Sequence, residues 1–231
     1  MKRSLLIAVL GLSALAAGFL GAWLFSLSGL ADRRTESYLV EHPQILERMV
    51  AELQRRQAEG RLSGVEADVT HAFPGAVLGN PQGSKTLVEF SDYHCGYCRL
   101  SSREVEALIR SDPQVRVVVR EWPIFDGSEE LARLALAAAK QGKFAAFHRA
   151  LFDHQGDADA IAKAAQAAGL DLARARKDAV GADITAEIER NGELAQRLAF
   201  SGTPSWVANG TILEGAQGQE ALAKALVPDR E

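Results

Sequence analysis

The sequence predicts an α/β domain built on a strand, helix, strand crossover, interrupted by a block of helices and closed by a hairpin and a last helix. Three observations carry that prediction. A β-branched and aromatic run at 86–90 leads into Cys95-Gly96-Tyr97-Cys98, apolar residues then recur at helical spacing, and a second strand-like run follows at 115–119. Between about 128 and 200 the apolar residues keep three- and four-residue steps, with glycines between the segments. Beyond them, 203–208 and 211–213 flank Asn209-Gly210, a pair suited to the positive φ angles of a type I′ hairpin turn.

Segment 1–31 begins with Lys2 and Arg3 and continues as an uncharged run at 4–31, 28 residues rich in Leu, Ala and Phe. About 20 apolar residues suffice for a bilayer-spanning helix, so the segment reads as a signal anchor. A cleaved signal peptide is the alternative, since Ala14-Leu15-Ala16 has the small residues of a cleavage site. Both readings export the remainder, into the periplasm in a Gram-negative cell, with the anchor tethering it to the inner membrane.

Segment 32–73 is predicted as a helical stalk. Pro43 is tolerated in the first turn of a helix and therefore opens its second half. Leu39, Leu46 and Leu53 lie seven apart with Met49 and Val50 among them, an apolar stripe at coiled-coil spacing. The stripe serves a homo-oligomer or packs on the parent domain. Residues 60–64, bounded by Gly60 and Gly64, read as a short hinge.

The main domain is drawn at 74–231. Its first strand, 76–78, ends in the turn cluster 79–83, and the second occupies 86–90. The helix after the cysteines carries Leu100, Val105, Leu108 and Ile109 and stops at Ser111-Asp112-Pro113. Strand 115–119 is closed by Glu121-Trp122-Pro123. Helices follow at 129–140, 144–152, 158–168, 172–179 and 184–199, separated by Gly142, Gly156, Gly169 and Gly181. Asp171, Asp178 and Asp183 read as helix caps. Trp122 and Trp206 read as core or groove-wall aromatics, and a last helix at 219–226 ends the fold.

Composition narrows the function classes. The 231 residues are 47% hydrophobic and 24% charged, as in a globular protein, and the net charge of −4 supplies no basic field for nucleic acid. The two cysteines, three positions apart, staple too little chain to be a structural framework. Structural zinc takes four ligands, and His42, His71, His94, His148 and His154 are scattered without ligand spacing. No metal and no cofactor is therefore predicted; a copper- or zinc-handling protein using the same cysteines is the rival reading. A Cys95 at a helix N-terminus would have its thiolate stabilised by free N–H groups and the helix dipole. Cys98, one turn further on, would resolve the mixed disulfide. Gly96 and Tyr97 would tune the thiolate, and His94 would add positive charge when protonated.

Residues 88–99, with Glu89 and the Cys95–Cys98 pair, together with Gly202-Thr203-Pro204-Ser205, resemble the DsbA-like branch of the thioredoxin superfamily. Residues 38–43 with the Arg-rich helix after them resemble, more briefly, the suppressor-of-copper-sensitivity protein C group, whose members include oligomeric disulfide isomerases. The resemblance implies a thioredoxin-like fold with a helical insertion at about 128–200 and thiol:disulfide oxidoreductase or isomerase activity. It also implies unfolded or misfolded exported proteins as substrates and a membrane redox partner. Thr203-Pro204 matches the family's cis-proline loop, which borders an extended substrate. Glu89 matches a buried acid that assists proton transfer at the second cysteine; read by strand position alone, it is equally an outward-facing carboxylate. Gly96 stands where many members have proline, which leaves oxidation against isomerisation undecided.

Overall fold

The computed structural model describes residues 2–27 and 30–227. The chain divides into two compact units, with the boundary after Gln54. The first holds α1 (Lys2–Leu27), α2 (Leu30–Glu41) and the opening turns of α3 (Gln44–Leu62). Within α1, Val9–Ser26 is long and apolar enough to cross a membrane by length and composition. Pro43 separates α2 from α3; its carbonyl accepts the Leu46 N–H at 3.0 Å, so it enters the first helical turn without an N–H of its own to satisfy. Before it, the His42 ring stacks on Tyr38 at 4.2 Å and closes the end of α2. Leu39, Leu46 and Leu53 are all exposed.

The hinge read at 60–64 is displaced. Helix α3 runs through Gly60 to Leu62, because Ala58 and Leu62 bury their side chains and hold the last turn together, and the chain turns only at 63–65. The helical segment from Arg55 thus contributes to the second unit.

That unit continues with α4 (Glu66–Thr70), β1 (Val77–Gly79), β2 (Lys85–Ser91), α5 (Gly96–Ser111) and β3 (Val115–Glu121). Five helices follow: α6 (Ser128–Lys140), α7 (Phe144–Asp153), α8 (Ala160–Ala168), α9 (Leu172–Asp178) and α10 (Ala182–Arg197). It ends with β4 (Ser205–Ala208), β5 (Thr211–Glu214) and α11 (Gln219–Ala225). The strands lie in the order β1-β3-β2-β4-β5; β2 and β3 are parallel across α5, and every other pairing is antiparallel. Central β2 is covered on both faces, which is why its sequence lacks a polar alternation. Leu87, Val117 and Val119 pack with α5 and the helices beyond it, in a core that includes Leu108, Leu134 and Phe147. Val88, Phe90 and Val118 face the opposite core with Leu62, Val69, Leu194 and Leu198. Each such side chain contributes roughly 1.5–3 kcal/mol of burial.

Two details depart from sequence expectation. Asp178 ends α9 and caps no helix start, whereas Asp171 does cap α9, accepting the Arg174 N–H at 3.0 Å. Asp183 lies in the first turn of α10 and pairs with Lys140 at 2.7 Å. Arg120, near the end of β3, is wholly buried. Its guanidinium donates to Glu187 Oε1 at 2.8 Å, Asn191 Oδ1 at 3.0 Å and the Val69 carbonyl at 3.1 Å, and to the carbonyls of Asp68 and His71. A buried charge is tolerated when paired and hydrogen-bonded in this way, and Arg120 thereby ties α4 and α10 to the sheet. The hairpin turn is as expected, with Asn209 at φ 46° and Gly210 at φ 77°.

Candidate active site

Cys95 occupies the N-cap of α5, with extended backbone angles of φ −77° and ψ 116°. The short polar loop before it places it there: the Cys95 N–H donates to the Asp92 carbonyl at 3.1 Å, and the helix begins with the Arg99 N–H donating to the Cys95 carbonyl at 3.2 Å. Cys95 Sγ accepts the Cys98 N–H at 3.4 Å and lies 3.2 Å from the Thr203 carbonyl, to which its thiol donates. Both cysteines are free thiols and both are buried. The Thr203–Pro204 bond is cis.

The two sulfurs differ in chemistry because their surroundings differ. The Cys98 thiol as a hydrogen-bond donor is the largest influence on Cys95; with Thr203 and the backbone amides of Cys98 and Tyr97 it outweighs the cost of burial and lowers Cys95 to about 6. Burial, the hydrogen bond given to Cys95 and the charge of Glu89 all push Cys98 far above the ordinary thiol range. Cys95 is thus the more acidic of the two sulfurs. The Thr203 hydroxyl is buried and has no partner apart from Cys95.

Glu89 lies on β2 opposite Val119 and Trp206 and is 1% exposed, so the outward-facing alternative does not hold. Neither of its oxygens has a hydrogen-bond partner. Burial raises its carboxyl to about 8, with the charge of Cys95 adding to the rise. Gly96 and Tyr97 form the exposed first turn of α5, and a side chain on Gly96 would meet nothing within 4 Å. His94 is exposed, its Nδ1 2.9 Å from the Asp126 carbonyl. Gly127, at φ 80°, lets that loop close on the imidazole; a Cβ there would lie 3.3 Å from His94 Cε1. Trp206 is core: it is fully buried, and its indole N–H donates to the Gly215 carbonyl at 2.9 Å.

The structure adds polar residues that sequence reading passed over. The Asp92 carboxylate, 1% exposed, accepts the N–H groups of His94 at 2.7 Å, Ile124 at 2.7 Å and Phe125 at 3.1 Å, and the Ser128 hydroxyl at 2.8 Å. It fastens the loop 124–128 beside the dithiol. The Tyr93 hydroxyl lies 2.8 Å from Glu121 Oε1 and 2.8 Å from His148 Nδ1, in a buried cluster. Burial raises the Glu121 carboxyl well above its usual range and lowers His148 to about 3, favouring the neutral form of each. Gln155 donates to the carbonyls of Tyr93 at 2.7 Å and Cys95 at 3.1 Å. A cleft of about 710 Å³ opens beside His94, lined by Gly127, Glu130, Leu131, Gln155 and Arg176. The Asp92 signal was readable as a turn-forming residue just before a helix cap; nothing local marked Glu121 or His148. Among the described residues no three His, Cys, Asp or Glu side chains converge as a metal site.

Two free thiols of contrasting acidity at the head of a helix that crosses between parallel strands, beside a cis-proline loop, define a protein of thioredoxin-like fold. The chain belongs to the DSBA-like thioredoxin domain family, whose model matches residues 86–227. Residues 36–59 match the copper resistance protein ScsC N-terminal domain. A thioredoxin-like oxidoreductase from Silicibacter pomeroyi is 45% identical, with a TM-score of 0.61 over 64% of this chain and 88% of that one. A periplasmic thioredoxin-like protein from Salmonella enterica serovar Typhimurium is 26% identical, with a TM-score of 0.59 over 71% and 94%. The catalytic domain of Proteus mirabilis ScsC shares the fold, with a TM-score of 0.63 at 24% identity over 72% of this chain and 94% of that one. Among curated proteins, the Na(+)/H(+) antiporter NhaA 3 of Salinispora tropica is 32% identical over 65% of this chain. The chain spans about a quarter of the length of such curated relatives, 24% in that case.

Proposed function

We propose that this protein exchanges disulfides in unfolded or misfolded exported proteins, with Cys95 as the attacking sulfur and Cys98 as the resolving one. The position of Cys95 Sγ carries the reading: it sits at the head of α5, 3.4 Å from the Cys98 N–H and 3.2 Å from the Thr203 carbonyl. In the reducing direction the Cys95 thiolate attacks one sulfur of a substrate disulfide, and the other leaves as a thiolate. Cys98 then gives its proton to Glu89 and attacks Cys95 Sγ. The mixed disulfide breaks, the second substrate sulfur leaves, and two electrons have passed from the cysteine pair to the substrate. The reverse sequence oxidises a substrate dithiol and takes the proton back from Glu89.

Glu89 suits this task because it is buried and otherwise unpartnered, and its carboxyl at about 8 matches a proton carrier near neutral pH. Thr203 and Pro204 border the extended substrate, while His94, Gly96 and Tyr97 modulate the thiolate. A membrane redox partner resets the pair and sets the direction of exchange. The apolar α1 supports export to the periplasm with an inner-membrane tether. The exposed Leu39, Leu46 and Leu53 support self-association through the stalk.

The test is exchange on a scrambled-disulfide protein. Cys95→Ser should abolish it, and Cys98→Ser should accumulate a mixed disulfide visible by mass spectrometry. Full activity in Cys95→Ser would overturn the assignment.

A further inference from the structure

Thr203 reaches Cys95 from the end of a segment that no ladder supports. Residues 198–204 join α10 to β4, whose strand pairing begins only at Ser205. The carbonyls at the end of a helix lack intrahelical partners, and here they are met by a side chain from far back in the chain. Arg61, in the last turn of α3, donates through Nε to the Leu198 carbonyl and through Nη2 to the Ala199 carbonyl at 3.1 Å. The same Nη2 lies 3.1 Å from Glu214 Oε1, and the guanidinium carbon stands 5.6 Å from the centre of the Phe200 ring. Glu214, at the end of β5, uses its other oxygen to accept the Ser201 hydroxyl at 2.8 Å and the Ser201 N–H at 3.3 Å. Four successive residues, Leu198 to Ser201, are therefore gripped by one ion pair. Ala199 is held at φ 52°, a left-handed angle that a non-glycine residue rarely adopts.

We propose that Arg61 and Glu214 are positioning residues for disulfide exchange: by clamping 198–201 they set where Thr203 stands against Cys95. The inference rests on the reading of Cys95 as the attacking sulfur. Its physical basis is that Thr203 has two polar groups at the site. Its carbonyl accepts from the Cys95 thiol, and its buried, otherwise unpartnered hydroxyl is a donor available to the thiolate. A shift of the segment changes both contacts together, and hydrogen bonds weaken steeply with misalignment. The planar fork of arginine serves two carbonyls and a carboxylate at once, a geometry that lysine does not reproduce.

The experiment titrates the Cys95 thiolate by its ultraviolet absorbance in the full chain and measures exchange with a scrambled protein at about pH 7, alongside a thermal melt. Folded Arg61→Ala is expected to raise the Cys95 midpoint and slow exchange about threefold to tenfold, since small misplacements of reacting groups are costly. Arg61→Lys should recover only part of this. A folded Arg61→Ala with a wild-type midpoint and rate overturns the proposal and leaves the clamp purely structural. Should Arg61→Ala not fold, Glu214→Gln, which keeps the shape and removes the charge, decides by the same readouts: a raised midpoint supports the proposal and an unmoved one overturns it. Cys95→Ser separates the two levels, because activity in that variant defeats the reading of the attacking sulfur, whereas an unmoved midpoint in the clamp variants defeats the clamp alone.

Discussion

Cys95 Sγ and the backbone carbonyl of Thr203 lie 3.2 Å apart, although 108 positions separate the two residues. The contact joins the head of α5 to the segment that enters β4; of the helices between them, α6 to α9 pack in the core with α5, whereas the last turns of α10 pack in the core on the other face of the sheet. Cys95 Sγ is thus framed by groups from two distant parts of the chain: the Cys98 N–H within its own helix and Thr203 across the site.

The low Cys95 value depends first on the Cys98 thiol. Cys98→Ala should therefore raise Cys95 from about 6 toward the ordinary thiol range, as read by alkylation rate against pH. A midpoint unmoved by the substitution would mean that the helix terminus and Thr203 suffice.

Glu89 works against stability as pH rises. Its folded value, about 8, lies above its ordinary value of 4.5, so its protonated form favours the folded state fully below the ordinary value. That advantage is lost as pH climbs through the folded value. Glu89→Gln should gain stability over the parent progressively across this window, reaching a few kcal/mol, while exchange slows by about tenfold or more. Urea unfolding at several pH values, paired with exchange rates, checks both signs.

Ile124 and Phe125 are exposed apolar side chains on the loop that Asp92 fastens beside the dithiol. Replacing both by serine should lower kcat/KM for an unfolded protein about tenfold, because truncating well-placed apolar contacts costs on the order of 1 kcal/mol or more each. Reaction with a small disulfide such as oxidised glutathione should stay unchanged. Equal losses on both substrates would show damage to the dithiol rather than to substrate contact.

Tyr93→Phe keeps the ring against His148 and Phe152 but removes the hydroxyl between Glu121 and His148. Two buried polar groups lose a partner, and the expected cost is about 1–3 kcal/mol for each group left unsatisfied. A denaturant midpoint equal to that of the parent would argue that the cluster contributes nothing net.

Arg120→Ala strips five acceptors of their shared donor and leaves Glu187 buried. A loss of about 3–5 kcal/mol is expected, as for other broken buried pairs. Protease cutting within 66–72 should accelerate with it, since Arg120 binds the carbonyls of Asp68, Val69 and His71.

Much of this was legible locally. The strand before the cysteines, the helix they open, the Asn209-Gly210 turn and the glycine-punctuated helices all obey short-range rules of periodicity, capping and turn chemistry. The continuation of α3 through Gly60 was not, because a glycine reads as a break until Ala58 and Leu62 are seen to pack. Arg120 and Glu121 were equally opaque. Each looks like a solvent-facing charge at a strand end, and only partners from 28 to 71 positions away make their burial tolerable.

By itself, then, the sequence determined the pairing of the two cysteines at the head of a helix and the kind of domain that carries them, since these depend on spacing and local conformation. Tertiary structure alone decided that Glu89 points inward without a partner, that Thr203 reaches Cys95, and that Arg61 and Glu214 hold the segment bringing it there. Those facts depend on which distant groups share a low-dielectric interior, and no local pattern encodes that.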